Sequence, residues 1–455
     1  MITLLAFVLA LGGLIVIHEY GHYRVAVACG VKVLRFSIGF GQPLVRWQRH
    51  PNATEFVIGA MPLGGYVRML DEREGPVPQA QQHLAFNRQR LRNRALIVAA
   101  GPAANLLTAV ILYACVAWMG QEQPVARLSA PAPASLAHEA GLRSGQWVQQ
   151  LAVDSATAQP VTSFGDLRWA LTQAALDGHD VRLWVATSPS ASAHEVLLPL
   201  SVLQAKEADA ALFERIGIEA PWSAPVMGHV VADGAGAQAG LQTGDRVLSV
   251  NGTPVLDAQD LRYRIRYLNG QGALTAVAQD WRIERAGVGM ILQVSPEIDR
   301  SVEPPRGRIQ AYIGDTPETL WVSYGLWEGW LHGLNRTWDV SWMSLQMFGR
   351  MLIGEASLKN LSGPITIADY AGQSASVGLG AYLVFVALVS VSLGVLNLLP
   401  LPVLDGGHLM YYLWEAVTGR AVSTVWLERL QRMGVMTLLA LMSVALFNDV
   451  ARLLG

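Results

Sequence analysis

The sequence predicts a multi-pass α-helical membrane protein with four transmembrane helices and two external α+β domains in tandem. Three observations point there. Apolar residues make up 52% of the 455 positions and charged residues 15%, a balance that calls for membrane segments before any soluble fold. The apolar residues gather into four stretches. The long polar segment between the second and third stretches contains an internal repeat.

The first stretch runs from Ile2 to about Cys29 and makes a poor signal peptide, because no basic residue precedes it and no small-residue cleavage pattern follows promptly. The second, Ala95 to Gly120, is long enough to cross a bilayer as a helix, and its GPAAN run (Gly101 to Asn105) supplies small residues that let another helix come close. The third, Gly380 to Leu404, ends in Pro400 and Pro402, and the fourth runs from about Met433 to Leu446 with weaker flanks. Lys32, Arg35, Arg46, Arg49, Arg68, Arg73, Arg88, Arg90, Arg92 and Arg94 lie between the first two stretches; Arg420, Arg429 and Arg432 lie between the last two. The positive-inside rule therefore places both connections in the cytoplasm, and puts both termini and the segment from about Gln121 to Leu320 outside. The two cysteines, Cys29 and Cys115, sit in or beside apolar runs and support neither a disulfide framework nor a thiolate metal site. A formal net charge of −2 gives no reason to expect a nucleic-acid partner.

Within the external segment, AGAQAGLQTGDRVLSVNGTPVLDAQDLRYRI (Ala235 to Ile265) is echoed by the earlier ASLAHEAGLRSGQWVQQLAVDSATA (Ala134 to Ala158). In the later copy, Val247, Leu248 and Val250 followed by Asn251-Gly252 read as strand and turn, and Asp257 opens a helix. This copy resembles the core of a PDZ domain. The earlier copy departs from it, with Gln146 in place of Asp245 and LAVDS in place of SVNGT. Two PDZ-like domains are expected, over 122–220 and 222–309. Such domains bind extended peptides by strand addition, so peptide ligands are one expectation and a size filter over the membrane domain is the other.

The first stretch ends in HEYGH. His18 and His22 are four apart, which on a helix sets both imidazoles on one face within reach of a single metal ion. With Glu19 they match the H-E-x-x-H pattern of zinc hydrolases, in which the glutamate takes a proton from metal-bound water. Three fixed letters arise by chance in roughly one chain in twenty of this length, so context must decide. A charge at the centre of a spanning helix costs about 2.5–3.5 kcal/mol, and such groups pair, line polar cavities or bind ions. A polar helix end at the membrane interface, which Tyr23 and Arg24 would suit, is the alternative. Catalytic zinc takes a third protein ligand. The best candidate is Asp405, where Pro400, Pro402, Gly406 and Gly407 permit an unwound backbone at membrane depth. His408 competes for that place, and Asp405 as a simple helix cap is a further alternative.

HEYGH together with NLLPLPVLDGGH (Asn397 to His408) resembles the site-2 protease family of intramembrane metalloproteases. The resemblance extends to FSIGFG (Phe36 to Gly41), GGYVRM (Gly64 to Met69), AAGPAANLL (Ala99 to Leu107) and NLSGPITIA (Asn360 to Ala368). It implies Zn2+ held by His18, His22 and Asp405, with Glu19 as catalytic base and Asn397 holding substrate near the metal. It also implies that Val33 to Trp47 belongs to a membrane re-entrant β-hairpin. The edge of that hairpin, with Phe36, Gly39 and Gly41, would pair with a locally unwound substrate. The implied substrates are single-span membrane proteins, namely anti-sigma factors after a first external cut, with release of an envelope stress response, and remnant signal peptides. The implied location is a bacterial inner membrane, with the PDZ-like domains and both termini periplasmic and the site toward the cytoplasm.

Between the PDZ-like pair and the third stretch, Trp327, Trp330, Leu331, Leu334, Trp338, Trp342 and Leu345 recur at three or four residues. They predict an amphipathic helix at the membrane interface over 316–350, held there by the bilayer, while Glu328, Arg336 and Asp339 argue against a fifth span. The protease core is then 1–121 joined to 360–455. A non-catalytic membrane scaffold that captures peptides and a metal transporter are the competing readings, and neither requires Glu19.

Overall fold

The computed structural model describes residues 2–207, 209–267, 277–301, 305–353 and 363–454. They form two units, Met1–Gln121 with Ser323–Gly455, and Glu122–Val322. Helix α1 (Ile2–Ala28) is apolar almost throughout. It leads into β1 (Val33–Trp47) and β2 (Glu55–Met69). Both strands are bent, so the expected hairpin becomes a sheet of four strand segments. Arg35–Ile38 is flanked on one side by Gly65–Arg68 and on the other by Glu55–Ile58, and the latter also pairs with Val45–Trp47. At the bend, Gly39 and Gly41 have φ of +82° and +87°, and a Cβ on Gly39 would strike the Met61 carbonyl, so glycine is required there. Helix α2 (Leu91–Met119) then runs through the second apolar stretch, with Pro102 inside it.

The second unit contains the repeat. Strands β3 (Trp147–Val153), β4 (Gln159–Pro160), β5 (Val181–Ala186) and β6 (His194–Leu198) form a sheet in the order β4-β3-β5-β6, and α3 (Phe164–Asp177) lies between β4 and β5 in the chain. Strands β7 (Arg246–Val250), β8 (Thr253–Pro254), β9 (Gln279–Arg285) and β10 (Val288–Val294) repeat that order as β8-β7-β9-β10, with α4 (Ala258–Arg266) in the matching place. Each half has its own apolar core, around Leu167, Leu171 and Leu183 in the first and Trp281, Ile283 and Leu261 in the second.

The two departures of the earlier copy prove structurally equivalent to the later one. Gln146 Oε1 accepts from Arg143 N at 2.7 Å, just as Asp245 Oδ2 accepts from Gln242 N at 2.8 Å. Asp154 and Asn251 both adopt positive φ, and the side chain of each accepts from a backbone N–H of the facing strand region, Asp180 N and Asp280 N respectively. Aspartate and asparagine both tolerate that conformation, so LAVDS builds the same turn as SVNGT. What Gln146 cannot reproduce is the ion pair. Asp245, fully buried, receives two hydrogen bonds from Arg285, at 2.6 and 2.7 Å. Asp257, also fully buried, caps α4 and in addition accepts from Ala130 N at 2.6 Å, tying the two halves of this unit together.

The remaining helices return to the first unit. Helix α5 (Leu326–Leu352) packs against α2 through small residues: a Cβ on Gly329 would meet Trp118, and one on Gly333 would meet Ala114 and the Val110 carbonyl. The aromatic stripe predicted from the sequence points the other way, with Trp327, Trp338 and Trp342 exposed. Helix α6 (Pro364–Val377), which the periodicity did not reveal, precedes α7 (Leu379–Leu398), α8 (Asp405–Thr418) and α9 (Thr424–Leu454). Asn360 to Ser362 of the quoted NLSGPITIA lie outside the described residues. The third apolar stretch is helical only to Leu398. The fourth starts earlier than expected, so Arg429 and Arg432 belong to its helix and not to the preceding loop. Helix α8 is fastened to α2 by Arg94, whose Nη2 lies 2.6 Å from Glu415 Oε1 and whose guanidinium covers the Tyr412 ring at 5.1 Å. Among the described residues, four helices (α1, α2, α7 and α9) are long and apolar enough to cross a membrane, which makes this a membrane protein with an additional β-rich unit.

Burial pushes the Asp245 carboxyl up, but its hydrogen bonds from Arg285 and Gln242 more than offset this and hold it below the usual carboxylate range. The stabilisation is present above the unfolded-state value of about 3.9 and is lost as pH falls through the lower folded-state value. Asp245→Asn is expected to destabilise this half at neutral pH, because it removes the charge that Arg285 pairs with. Faster hydrogen exchange across β7 and β9 in the variant, with β3 and β5 unchanged, is the expected reading.

Candidate metal centre

His18 and His22 occupy successive turns of α1, with their rings edge to face and centroids 4.8 Å apart. Their Nε2 atoms are separated by 3.2 Å. Asp405, at the first turn of α8, brings Oδ2 to 3.2 Å from His18 Nε2 and 3.5 Å from His22 Nε2. That oxygen is buried and accepts no hydrogen bond. Ligand atoms around a tetrahedral Zn2+ at about 2.0–2.1 Å stand about 3.3 Å apart, so the three observed spacings fit one ion. An orphaned buried carboxylate oxygen facing two imidazole nitrogens is a donor set that lacks its acceptor.

The geometry bears on each of the alternatives left open by the sequence. Among the described residues, the atoms that converge are those of His18, His22 and Asp405. His408 lies on the wall of the adjoining cavity and stacks edge to face on Tyr411. Asp405 begins α8, but the capping position belongs to Leu404 and no side chain caps that helix end. The turn after Leu398 is tight: a Cβ on Gly406 or Gly407 would collide with the carbonyls of Leu399 or Leu401. The two glycines therefore let the broken segment fold back and direct Asp405 toward α1.

Two supports for the imidazoles were not singled out in the sequence. His22 Nδ1 donates to the Ile97 carbonyl on α2 at 2.8 Å, which leaves Nε2 free for a metal. Asn105, also on α2 and 1% exposed, has Nδ2 3.2 Å from His18 Nδ1, while its Oδ1 is buried without a partner. Turning the amide over gives Oδ1 the His18 Nδ1–H and fixes His18 Nε2 as the ligand atom. The signal was present in the sequence as one amide in an apolar span, within the GPAAN run read for its small residues. Gly101 completes the cradle, because any Cβ there would enter the His22 ring and crowd His18.

Glu19 lies on the same turn, and it lines a cavity with His22 and Asp405. Gly65 of β2 comes so close that a Cβ on it would stand 3.0 Å from Glu19 Cγ. The residues assigned to substrate by resemblance are placed less directly. Asn397 donates Nδ2 to the Leu393 carbonyl of its own helix at 2.9 Å. Gly39 and Gly41 form the bend of the sheet. The Phe36 side chain is 5% exposed, packed against Tyr23 and Phe56, and its strand segment is flanked on both sides. Among the described residues, Gly65–Met69 is the outer segment of that sheet beside α1, with a pairing partner on one side only.

The sequence profile of peptidase family M50 matches residues 6–441. The chain is 40% identical to a Ralstonia nicotianae protein named as a zinc metalloprotease, over 100% of this chain and 99% of the relative. It is 36% identical to the regulator of sigma-E protease RseP of Escherichia coli, over 99% of this chain and 98% of the relative. A Neisseria meningitidis protein, also named as a zinc metalloprotease, is 37% identical over the full length of both.

Replacing Asn105 with Leu removes the group that orients His18, and is expected to weaken metal affinity about 10–100-fold. Gly101→Ala should be at least as damaging. Metal content of the purified variants after dialysis against a graded chelator series measures both.

Proposed function

The chain belongs to peptidase family M50 and is a zinc metalloprotease; from that premise we propose that it cleaves single-span membrane proteins within the bilayer. The observation that carries this reading is the convergence of His18, His22 and Asp405 among helices that are long and apolar enough to span. On this reading, His18 Nε2, His22 Nε2 and Asp405 Oδ2 hold the metal, Ile97 and Asn105 fix the imidazoles, and Glu19 is the catalytic base. Zinc, when bound, lowers the pKa of a water molecule toward neutrality and polarises the scissile carbonyl. Glu19 accepts the proton of the attacking water and returns it to the leaving amine nitrogen, so the C–N bond breaks without releasing a bare amide anion.

A helical substrate hides its carbonyls in its own hydrogen bonds, so it must be extended before it reaches the metal. The outer strand segment Gly65–Met69 runs past Glu19 and is the edge we assign to substrate pairing. Asn397, one turn before the break that leads to Asp405, is retained as a residue near the substrate path.

The sequence support for two PDZ-like domains is joined by the shared strand order of the two halves. We assign them the range 122–309 and a position outside the membrane, where they select or exclude substrates. The basic residues of the two connections support an inner-membrane orientation with both termini periplasmic and the metal site toward the cytoplasm. Helix α5, with its tryptophans turned outward, suits the outer interface beside α2. The similarity to a regulator of sigma-E protease supports an anti-sigma factor as substrate.

Glu19→Gln is expected to keep zinc and to lower cleavage of a tagged single-span substrate about 10²–10⁴-fold. Unchanged cleavage would reject Glu19 as the base. Proline placed in turn along the extended part of the substrate should block cleavage at alternate positions, where the backbone N–H faces the pairing edge. Cleavage insensitive to proline throughout would remove the pairing edge from the mechanism.

A further inference from the structure

The metal site opens on a cavity of about 220 Å3. Glu19, His22 and Asp405 line it together with five apolar residues, Val67 and Met69 on β2, Phe86, and Ile97 and Val98 on α2, and with Arg73, His408 and Tyr412. The volume falls below the roughly 300–1,000 Å3 of sites that enclose a whole small molecule. It suits a single inserted side chain. At the rim, Arg73 is committed to Asp71, with its Nε 2.9 Å from Oδ1 and its Nη2 2.5 Å from Oδ2, so its charge is compensated locally and the cavity does not act as an anion site.

Gly65, Val67 and Met69 alternate along one face of the outer strand segment. Gly65 lies beside Glu19, where an added Cβ would stand 3.0 Å from Glu19 Cγ, and the other two line the cavity, so this face leads from the base into that space. In a β-sheet, residues opposite one another on neighbouring strands send their side chains to the same face. A substrate strand added at this edge therefore directs every second side chain toward the side on which Val67 and Met69 stand.

We propose that this cavity is a specificity subsite that takes one apolar substrate side chain of about leucine size, from a residue next to the scissile bond. The inference rests on the protease reading above and adds what that reading does not specify, the kind of residue accepted beside the cut. Ile97 serves twice, since it lines the cavity and its carbonyl holds His22. A side chain that fills the space therefore presses on the element that orients a metal ligand. Val98 and Phe86 only form wall, so they can be changed without removing a contact to the metal site.

The test uses the full-length protein in membranes and a tagged single-span substrate carrying Ala, Leu, Phe, Trp or Asp at each position flanking the cut. Wild type should discriminate strongly at one of these positions, favouring Leu over Ala and rejecting Asp, by about tenfold or more per methylene group accommodated. Val98→Phe should invert the Leu-over-Ala preference at that position alone, and Phe86→Ala should extend acceptance there to Trp. An unchanged profile in both variants overturns the proposal. If Val98→Phe abolishes turnover, cysteine pairs decide in the Glu19→Gln background, with one cysteine at Val98 and the other moved along the substrate. Disulfides confined to one substrate position support the subsite, and disulfides spread evenly or absent overturn it. Wild-type protein that cuts no single-span substrate at all would instead reject the protease reading on which the proposal rests.

Discussion

The rest of this structure depends on how closely α1 and α2 approach. Gly21, inside HEYGH, faces Ala100 and Ala104, and a Cβ on it would run into the Ala100 carbonyl; Gly101 on the other side leaves room for both imidazoles. Small residues at a helix crossing let backbones meet without a layer of side chains. That contact has a chemical result as well as a packing one. It carries the Ile97 carbonyl and the Asn105 amide to the Nδ1 atoms of two histidines, so the same surface that holds the helices together orients the rings whose Nε2 atoms converge with Asp405. Asp405 can then arrive from a broken segment, because the site it joins is already rigid.

Much of this was legible in the sequence, and the parts that were not share a cause. His18, Glu19 and His22 were readable because a four-residue spacing on a helix fixes their relative geometry. Asp405 was readable because prolines and glycines mark an interrupted span. Asn105 was overlooked because its partner is 87 positions away and no local pattern announces a long-range contact. The burial of Phe36 was hidden for a related reason. The motif suggested an exposed edge, but whether a strand is at an edge depends on what pairs beside it, and Glu55–Ile58 fills that side. The aromatic stripe of α5 was recognised as one face, yet its neighbour was found by the opposite face, where Gly329 and Gly333 meet α2.

The β-rich unit teaches a similar lesson about weak repeats. Gln146 and Asp154 looked like decay when set against Asp245 and Asn251, but each keeps the backbone hydrogen bond that the turn requires. The chemistry at these positions is an acceptor at a fixed point, which amide and carboxylate both provide. The difference lies in charge. Only the later copy holds a buried carboxylate matched to an arginine, so only that copy carries an acid-sensitive lock.

In the membrane unit, one carboxylate joins two helices that are far apart in the chain. Asp449, 1% exposed near the far end of α9, accepts hydrogen bonds from Gly363 N and Ile365 N at 2.9 Å and from the Thr366 hydroxyl at 2.6 Å, thereby closing the start of α6. The partners are 86 residues apart for Gly363, so the N–H groups that open α6 are satisfied by a carboxylate carried on the last helix, and removal of that one side chain would leave the start of α6 without its acceptors.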